Sequence, residues 1–214
     1  IAEHATIGIV ITTDGTISDL PREAYPEAEG RVIEELKALG KPFLILLNSA
    51  HPQGEAAQKL RAKLAEQYDV TCLAVSCLDL DQQAVTEIIQ AVLYEFPLEE
   101  LQLFLPDWVE TLPTEHPIRT ALFQAIRAQA GKLVRIRDVK PAVAAMGQCE
   151  LVTGASVTGM KLGSGCCQAR LELPRSLFYD TLSQQTGFAL HSDGELLALL
   201  ERLAVVQAEH QKVA

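Results

Sequence analysis

Residues 41–52 read KPFLILLNSAHP, and the run at their centre decides the fold. Phe43 to Leu47 are apolar without alternation, the mark of a strand covered on both faces, as in a parallel sheet with helices above and below. The run stops at Asn48 and passes into Ser49, Ala50, His51 and Pro52, a polar exit loop. Two similar runs flank it, TIGIVIT at 6–12 and VTCLAVS at 70–76. Helical spacing fills the gaps between them. Val32, Ile33, Leu36 and Leu39 share one face and stop at Gly40 and Pro42, a helix-terminating pair. Leu60 and Leu64 mark a second helix from about Glu55 to Tyr68, and Val85, Ile88, Ile89, Val92, Leu93 and Phe96 a third that ends by Pro97. Strand and helix alternating with short connections form a βαβ series with right-handed crossovers.

Sheets of this kind bind ligands at the carboxyl ends of their strands. Three segments line that edge: TTDGT after the first strand, NSAHP after the second and SCLDL after the third. Each also has an ordinary structural account. Asp14-Gly15 is common turn chemistry, and Asp79 or Asp81 can cap the third helix.

The chain has 214 residues, 48% of them hydrophobic, enough for a substantial core, and no apolar run approaches the ~20 residues that span a bilayer. It opens on Ile1 and closes inside an amphipathic pattern, Glu195 to Val213, and is read as a piece of a longer protein. Its net charge of −10 argues against nucleic acid, whose phosphates require clustered Lys and Arg. Residues 1–97 hold 7 basic and 15 acidic side chains, and residues 98–214 hold 11 and 13. The one basic cluster, Lys132, Arg135, Arg137 and Lys140, is read as a solvated helix face, with an anion or partner site as the other reading. Five cysteines without Cys-x-x-Cys spacing suggest a reducing compartment and no structural metal. Cys72 and Cys77 are expected in the core, and Cys166 and Cys167, adjacent on a strand, on opposite faces.

No Gly-x-x-x-x-Gly-Lys-Ser/Thr occurs, so no segment of this sequence cradles a triphosphate in that manner. There is also no Gly-x-Gly-x-x-Gly and no Gly-x-Ser-x-Gly. TGMKLGSG (158–165) joins two strand-like runs and is read as a hairpin turn. Residues 98–214 suggest a small α+β domain: LQLFLP as a strand, helical spacing through Leu122, Ile126 and Leu133, and ELVTGASVTG against CCQARLEL as a hairpin. A short helix at RSLFYDTLSQQTG and a long one from about Asp193 follow, the latter with Leu196, Leu199, Leu200, Leu203 and Val206 on one face. Trp108 beside Pro106 is expected in the core.

Several segments together resemble the stage IV sporulation protein A family. The longest is residues 3–52, EHATIGIVITTDGTISDLPREAYPEAEGRVIEELKALGKPFLILLNSAHP. YDVTCLAVSCLDL, VLYEFPLEELQLFLPDWVETL, RIRDVKPAV and LFYDTLSQQTG extend it. The resemblance implies an ATPase that polymerises into the basement layer of the spore coat, in the mother-cell cytoplasm on the outer forespore membrane. It implies an α/β fold: the C-terminal part of a P-loop, GTPase-like doubly wound sheet (1–97), then an α+β middle domain (98–214). ATP and Mg would be held by a P-loop and metal site upstream, so this piece alone would be inactive, with no catalytic or metal-ligating residue of its own. Implied partners are further copies of itself and other coat proteins, including a small amphipathic membrane-bound one, with no nucleic acid and no transmembrane segment.

The resemblance gives the exit loop a meaning. GTPases place Asn-Lys-x-Asp there, and the aspartate accepts two hydrogen bonds from guanine. Adenine has no such donor pair, so an aspartate would be desolvated for nothing. Here Asn48 remains and Ala50-His51 replaces the specifying part. Asn48 and Ser76 are the expected base-side contacts. His51 either stacks on the base or lies on the surface, and Thr12 and Thr13 are structural. Two other readings stand beside this one: a non-catalytic interaction module with a degenerate nucleotide-binding fold, and a small-molecule enzyme using the TTDG and SCLDL loops. Whether Arg135 or Arg137 reaches a neighbouring subunit's phosphates is a further open question.

Overall fold

The structure, a computed structural model, describes residues 7–213. The elements in chain order are β1 (Gly8–Thr13), α1 (Pro26–Ala38), β2 (Phe43–Asn48), α2 (Glu55–Tyr68), β3 (Cys72–Val75), α3 (Gln82–Tyr94) and β4 (Glu100–Phe104). Then come α4 (Trp108–Thr111), α5 (Pro117–Ala130), α6 (Val139–Met146), β5 (Gly154–Lys161), β6 (Cys166–Glu172), α7 (Arg175–Thr186) and α8 (Asp193–Val213). They fall into two compact units. The first comprises the residues up to Gln102 with Lys132–Pro141 and Thr158–Gln168, and the second Leu103–Gly131, Ala142–Val157 and the residues from Ala169 onward.

In the first unit β1, β2 and β3 form a parallel sheet in sequence order. Phe43, Ile45 and Leu47 point to the face carrying α1 and α2, where they meet Ile33, Leu64 and Tyr68. Leu44 and Leu46 point to the opposite face and meet Ile88 and Val92 of α3. A strand buried on both faces needs apolar residues at every position, which β2 has from Phe43 to Leu47. β1 is less covered: Val10 and Thr12 are buried, but Ile9 and Ile11 are exposed, and among the described residues β1 pairs with β2 alone. Thr6, the first residue of the expected strand, lies outside the described residues. The helix ends follow local chemistry. Gly40, at φ +63°, reverses the chain after α1, and the Asp81 carboxylate caps α3 by accepting from Ala84 N at 2.7 Å.

The basic cluster corrects the sequence reading. Helix α5 stops at Ala130, before Leu133, and the segment beyond it docks on the first unit instead of presenting a solvated helix face. Leu98 N donates to Val134 O and Ile136 N to Phe96 O, both at 3.0 Å. Arg135 and Arg137 converge on the buried Glu95 carboxylate, each at 3.1 Å. The same carboxylate accepts from Thr71 N at 3.1 Å and Thr71 Oγ1 at 2.5 Å. Both guanidiniums also donate to the Asp69 carbonyl, at 3.2 and 2.7 Å. The Lys140 ammonium sits 5.7 Å from the centre of the Tyr94 ring. A carboxylate out of water is tolerable only with its acceptor capacity filled, and here two cations and two neutral donors fill it.

In the second unit Val109, Leu122, Met146 and Leu171 form the core, with Trp108 partly buried against it and 5.8 Å from the Phe178 ring. A second sheet has the order β4-β6-β5. The expected hairpin is present, but β5 runs to Lys161, so the turn is only Leu162–Gly165. Cys167 is buried and Cys166 is not, as their alternation requires. Beyond Leu200 every α8 side chain whose burial is described is exposed. No helix among the described residues is long and apolar enough to cross a membrane.

Replacing Glu95 by Ala removes the buried carboxylate shared by two guanidiniums and leaves them the Asp69 carbonyl, with the Asp69 carboxylate for Arg137. Urea denaturation is expected to show a loss of about 3–5 kcal/mol, with Glu95→Gln losing less because its amide oxygen still accepts from Thr71. Glu95→Ala at wild-type stability would show that the cations are equally well solvated without it.

Candidate functional site

The strand register places three loops side by side. Thr13 is level with Asn48, and Asn48 with Val75, so all three strands end in one row at the carboxyl edge of the sheet. Past that row the ladder has almost run out, Ser49 N to Val75 O at 2.9 Å being its last bond. The loops are then held by side chains.

Asn48 accepts from Cys77 N through Oδ1 at 2.9 Å, tying the β2 exit to the β3 exit. Ser76 donates its hydroxyl to Asp79 Oδ2 at 2.8 Å, inside the β3 exit loop. The two residues singled out from the sequence thus lie on adjacent loops of one edge, with Asn48 acting as a bracket between them. Cys77 departs from its expected place in the core: β3 stops at Val75, and Cys77 sits half-buried in this loop. His51 is exposed, its own amide donating to Ser49 Oγ at 3.0 Å.

The β1 exit is knitted to the β2 exit by residues whose part the sequence reading did not foresee. Ala50 N donates to Thr16 Oγ1 at 2.9 Å, and Thr16 donates to Asp14 Oδ1 at 2.5 Å. Thr16 N reaches the same oxygen at 3.0 Å. Burial pushes the Asp14 carboxyl up, but hydrogen bonds from the Ser49 and Thr16 side chains outweigh it and hold the group below its ordinary value of 3.8. Gly15 makes the turn at φ +88°, where a Cβ would stand 3.0 Å from Arg22 N. The base of this loop is clamped by Arg22, bidentate on the buried Glu29 at 2.8 and 3.0 Å and donating to Thr12 Oγ1 at 2.9 Å. Thr12 and Thr13 are buried, the structural role expected of them.

Among the described residues no group of three or more His, Cys, Asp or Glu side chains is placed to hold a metal ion. What the edge offers is an amide, hydroxyls and backbone groups in fixed positions beside an exposed histidine. Groups of these kinds can hydrogen-bond a planar ligand, and Cys77 adds a half-buried thiol beside them.

The comparisons with known proteins bear on that ligand. A family model described as stage IV sporulation protein A, ATPase domain, matches residues 1–97, and one described as the middle domain of the same protein matches residues 98–214. The stage IV sporulation protein A of Clostridioides difficile (strain 630) is 36% identical over 213 residues, all of this chain and 43% of its own length. Those of Bacillus subtilis (strain 168) and Bacillus anthracis are each 36% identical over 214 residues, 44% of theirs. The chain therefore spans less than half the length of these curated relatives. No solved structure matches it.

Two expectations follow from the loop environment. Asp14 has a depressed pKa, so its hydrogen bonds contribute fully above 3.8 and are lost as pH falls through the lower folded value; the carboxyl carbon shift, followed by NMR, should show its midpoint below 3.8. Burial pushes the Cys72 thiol up to about 11, so iodoacetamide at pH 8 should alkylate Cys77 well before Cys72, as read by peptide mass spectrometry.

Proposed function

The chain belongs to the stage IV sporulation protein A family, and on that premise we propose that it is the base-side half of a nucleotide domain joined to the middle domain of a spore-coat assembly ATPase. In this reading the whole protein hydrolyses ATP to polymerise into the basement layer of the coat on the forespore surface. The phosphate cradle and the magnesium site lie in sequence outside these 214 residues. Residues 1–97 then contribute contacts to the adenine, and residues 98–214 an assembly and coupling surface for further copies and other coat proteins, a small amphipathic membrane-bound one among them.

The observation that carries the reading is the Asn48 bracket. Asn48 Oδ1 is committed to Cys77 N, so the β2 and β3 exit loops form one surface, and the amide's Nδ2 side is the part a base would meet. Where GTPases carry an aspartate, this loop has the exposed His51, which leaves no acceptor pair for guanine and a flat ring for any purine. Exposed Ile9 and Ile11, beside an edge of β1 unpaired among the described residues, support the companion inference that more of a nucleotide domain packs against this sheet. An unpaired strand edge with apolar side chains is a surface that native folds cover.

The test is a titration of ATP and GTP, each with magnesium, against the full-length protein and its Asn48→Ala variant. The expected outcome is preferential ATP binding that Asn48→Ala weakens about tenfold, because the bracket and the base contact vanish together. Equal affinity for the two nucleotides, with Asn48→Ala silent, would make the loop a mere strand exit.

A further inference from the structure

We propose that Asp14, acting through the hydroxyl of Thr16, is the positioning residue that sets the loop after β2 for its base, an inference that rests on the function proposed above. The observation is a chain of hydrogen bonds with the carboxylate at its root. A hydroxyl has one proton to give and lone pairs to receive with, and its rotor turns to suit. The Thr16 hydroxyl gives its proton to Asp14 Oδ1 at 2.5 Å and accepts from Ala50 N at 2.9 Å. An ionised carboxylate can only accept, so the Thr16 rotor is forced one way. Its lone pairs are thereby aimed at the Ala50 amide, while the fully buried Ser49 Oγ accepts from the next amide, that of His51, at 3.0 Å.

This matters because Ala50 and His51 lie beyond the strand ladder. An unfixed loop must be ordered when a ligand arrives, and that ordering is subtracted from affinity. A loop already held by a charge-polarised hydroxyl binds without that loss, and each bond in such a chain strengthens the next. Asp14 itself need not touch the ligand. Its side chain is turned toward Thr16, and Arg22 closes the loop beneath it on Glu29. Asp14 and Thr16 therefore act on nucleotide recognition across two loops, 34 residues apart in sequence at the Thr16–Ala50 bond.

The experiment measures ATP and GTP affinity, with magnesium, in the full-length protein carrying Thr16→Val, Thr16→Ser or Asp14→Asn. Thermal denaturation and hydrogen exchange at the Ala50 and His51 amides are followed in parallel. Thr16→Val keeps the shape and removes both hydroxyl functions. It should weaken ATP about fivefold, the size of one lost hydrogen bond, and speed exchange at Ala50. Thr16→Ser restores the hydroxyl and should restore both readouts, which a general packing defect would not do. Asp14→Asn can donate as well as accept, so it frees the Thr16 rotor and should weaken ATP and speed exchange at Ala50 as Thr16→Val does. Should wild-type protein bind neither nucleotide, the function proposed above fails and the positioning role falls with it. If wild type prefers ATP and Thr16→Val binds it equally well at wild-type stability, the positioning role alone is overturned.

Discussion

The burial of β2 on both faces is the constraint from which the first unit follows. With Phe43, Ile45 and Leu47 committed to α1 and α2, and Leu44 and Leu46 to α3, no side chain of the run is left for polar work. Its backbone is in the middle of a sheet and can be satisfied only by β1 and β3. Polar chemistry is therefore expelled to where the strand ends. Because the three strands stop in a single row, it collects in three neighbouring loops. The place of the candidate site is a by-product of how the core is covered.

Beyond that row the protein substitutes side-chain bonds for a ladder. Asn48 bridges to the Cys77 amide, Thr16 to the Ala50 amide, and Ser49 to the His51 amide. Each is a short polar side chain, the kind that competes with regular structure inside an element and stabilises the backbone at its end. The other end of the strands uses ion pairs instead, Glu95 and Asp69 with Arg135 and Arg137. The carboxyl-edge loops are thus tied to one another by hydrogen bonds from small groups, with the Arg22–Glu29 pair beneath them, and the other edge is held by charge.

What could be read in the sequence follows from what is local. β2 and α2 were legible to the residue because an uninterrupted apolar run and a helical stripe are short-range patterns, and the cap of α3 was legible as Asp79 or Asp81, of which Asp81 takes the role on Ala84 N. The carboxyl-edge loops were legible as a place, since their location follows from the parallel sheet. Their wiring was not: Thr16 meets Ala50 across a helix and a strand, and no periodicity encodes that pairing. The basic cluster was misread for the same reason. Charges spaced every few residues look like a solvated face until their partners, 40 and 68 residues away, are known. β1 carries a similar run of Ile and Val, but cover on its second face is not seen among the described residues, where Ile9 and Ile11 are exposed. Cys77 was placed in the core because the apolar run was carried past Val75, where the strand stops.

The long span of the Glu95 clamp has a consequence for the order of events during synthesis. Arg135 follows Glu95 by 40 residues. At about 5–20 residues per second, a ribosome needs ~2–8 s to add them. Through that interval the sheet and its three helices are already outside or leaving the tunnel, yet the carboxylate that must be buried has no counter-charge. The first unit can finish only when the chain returns to it from the far side of α5. Its folding is thereby timed by translation of a segment that lies well downstream.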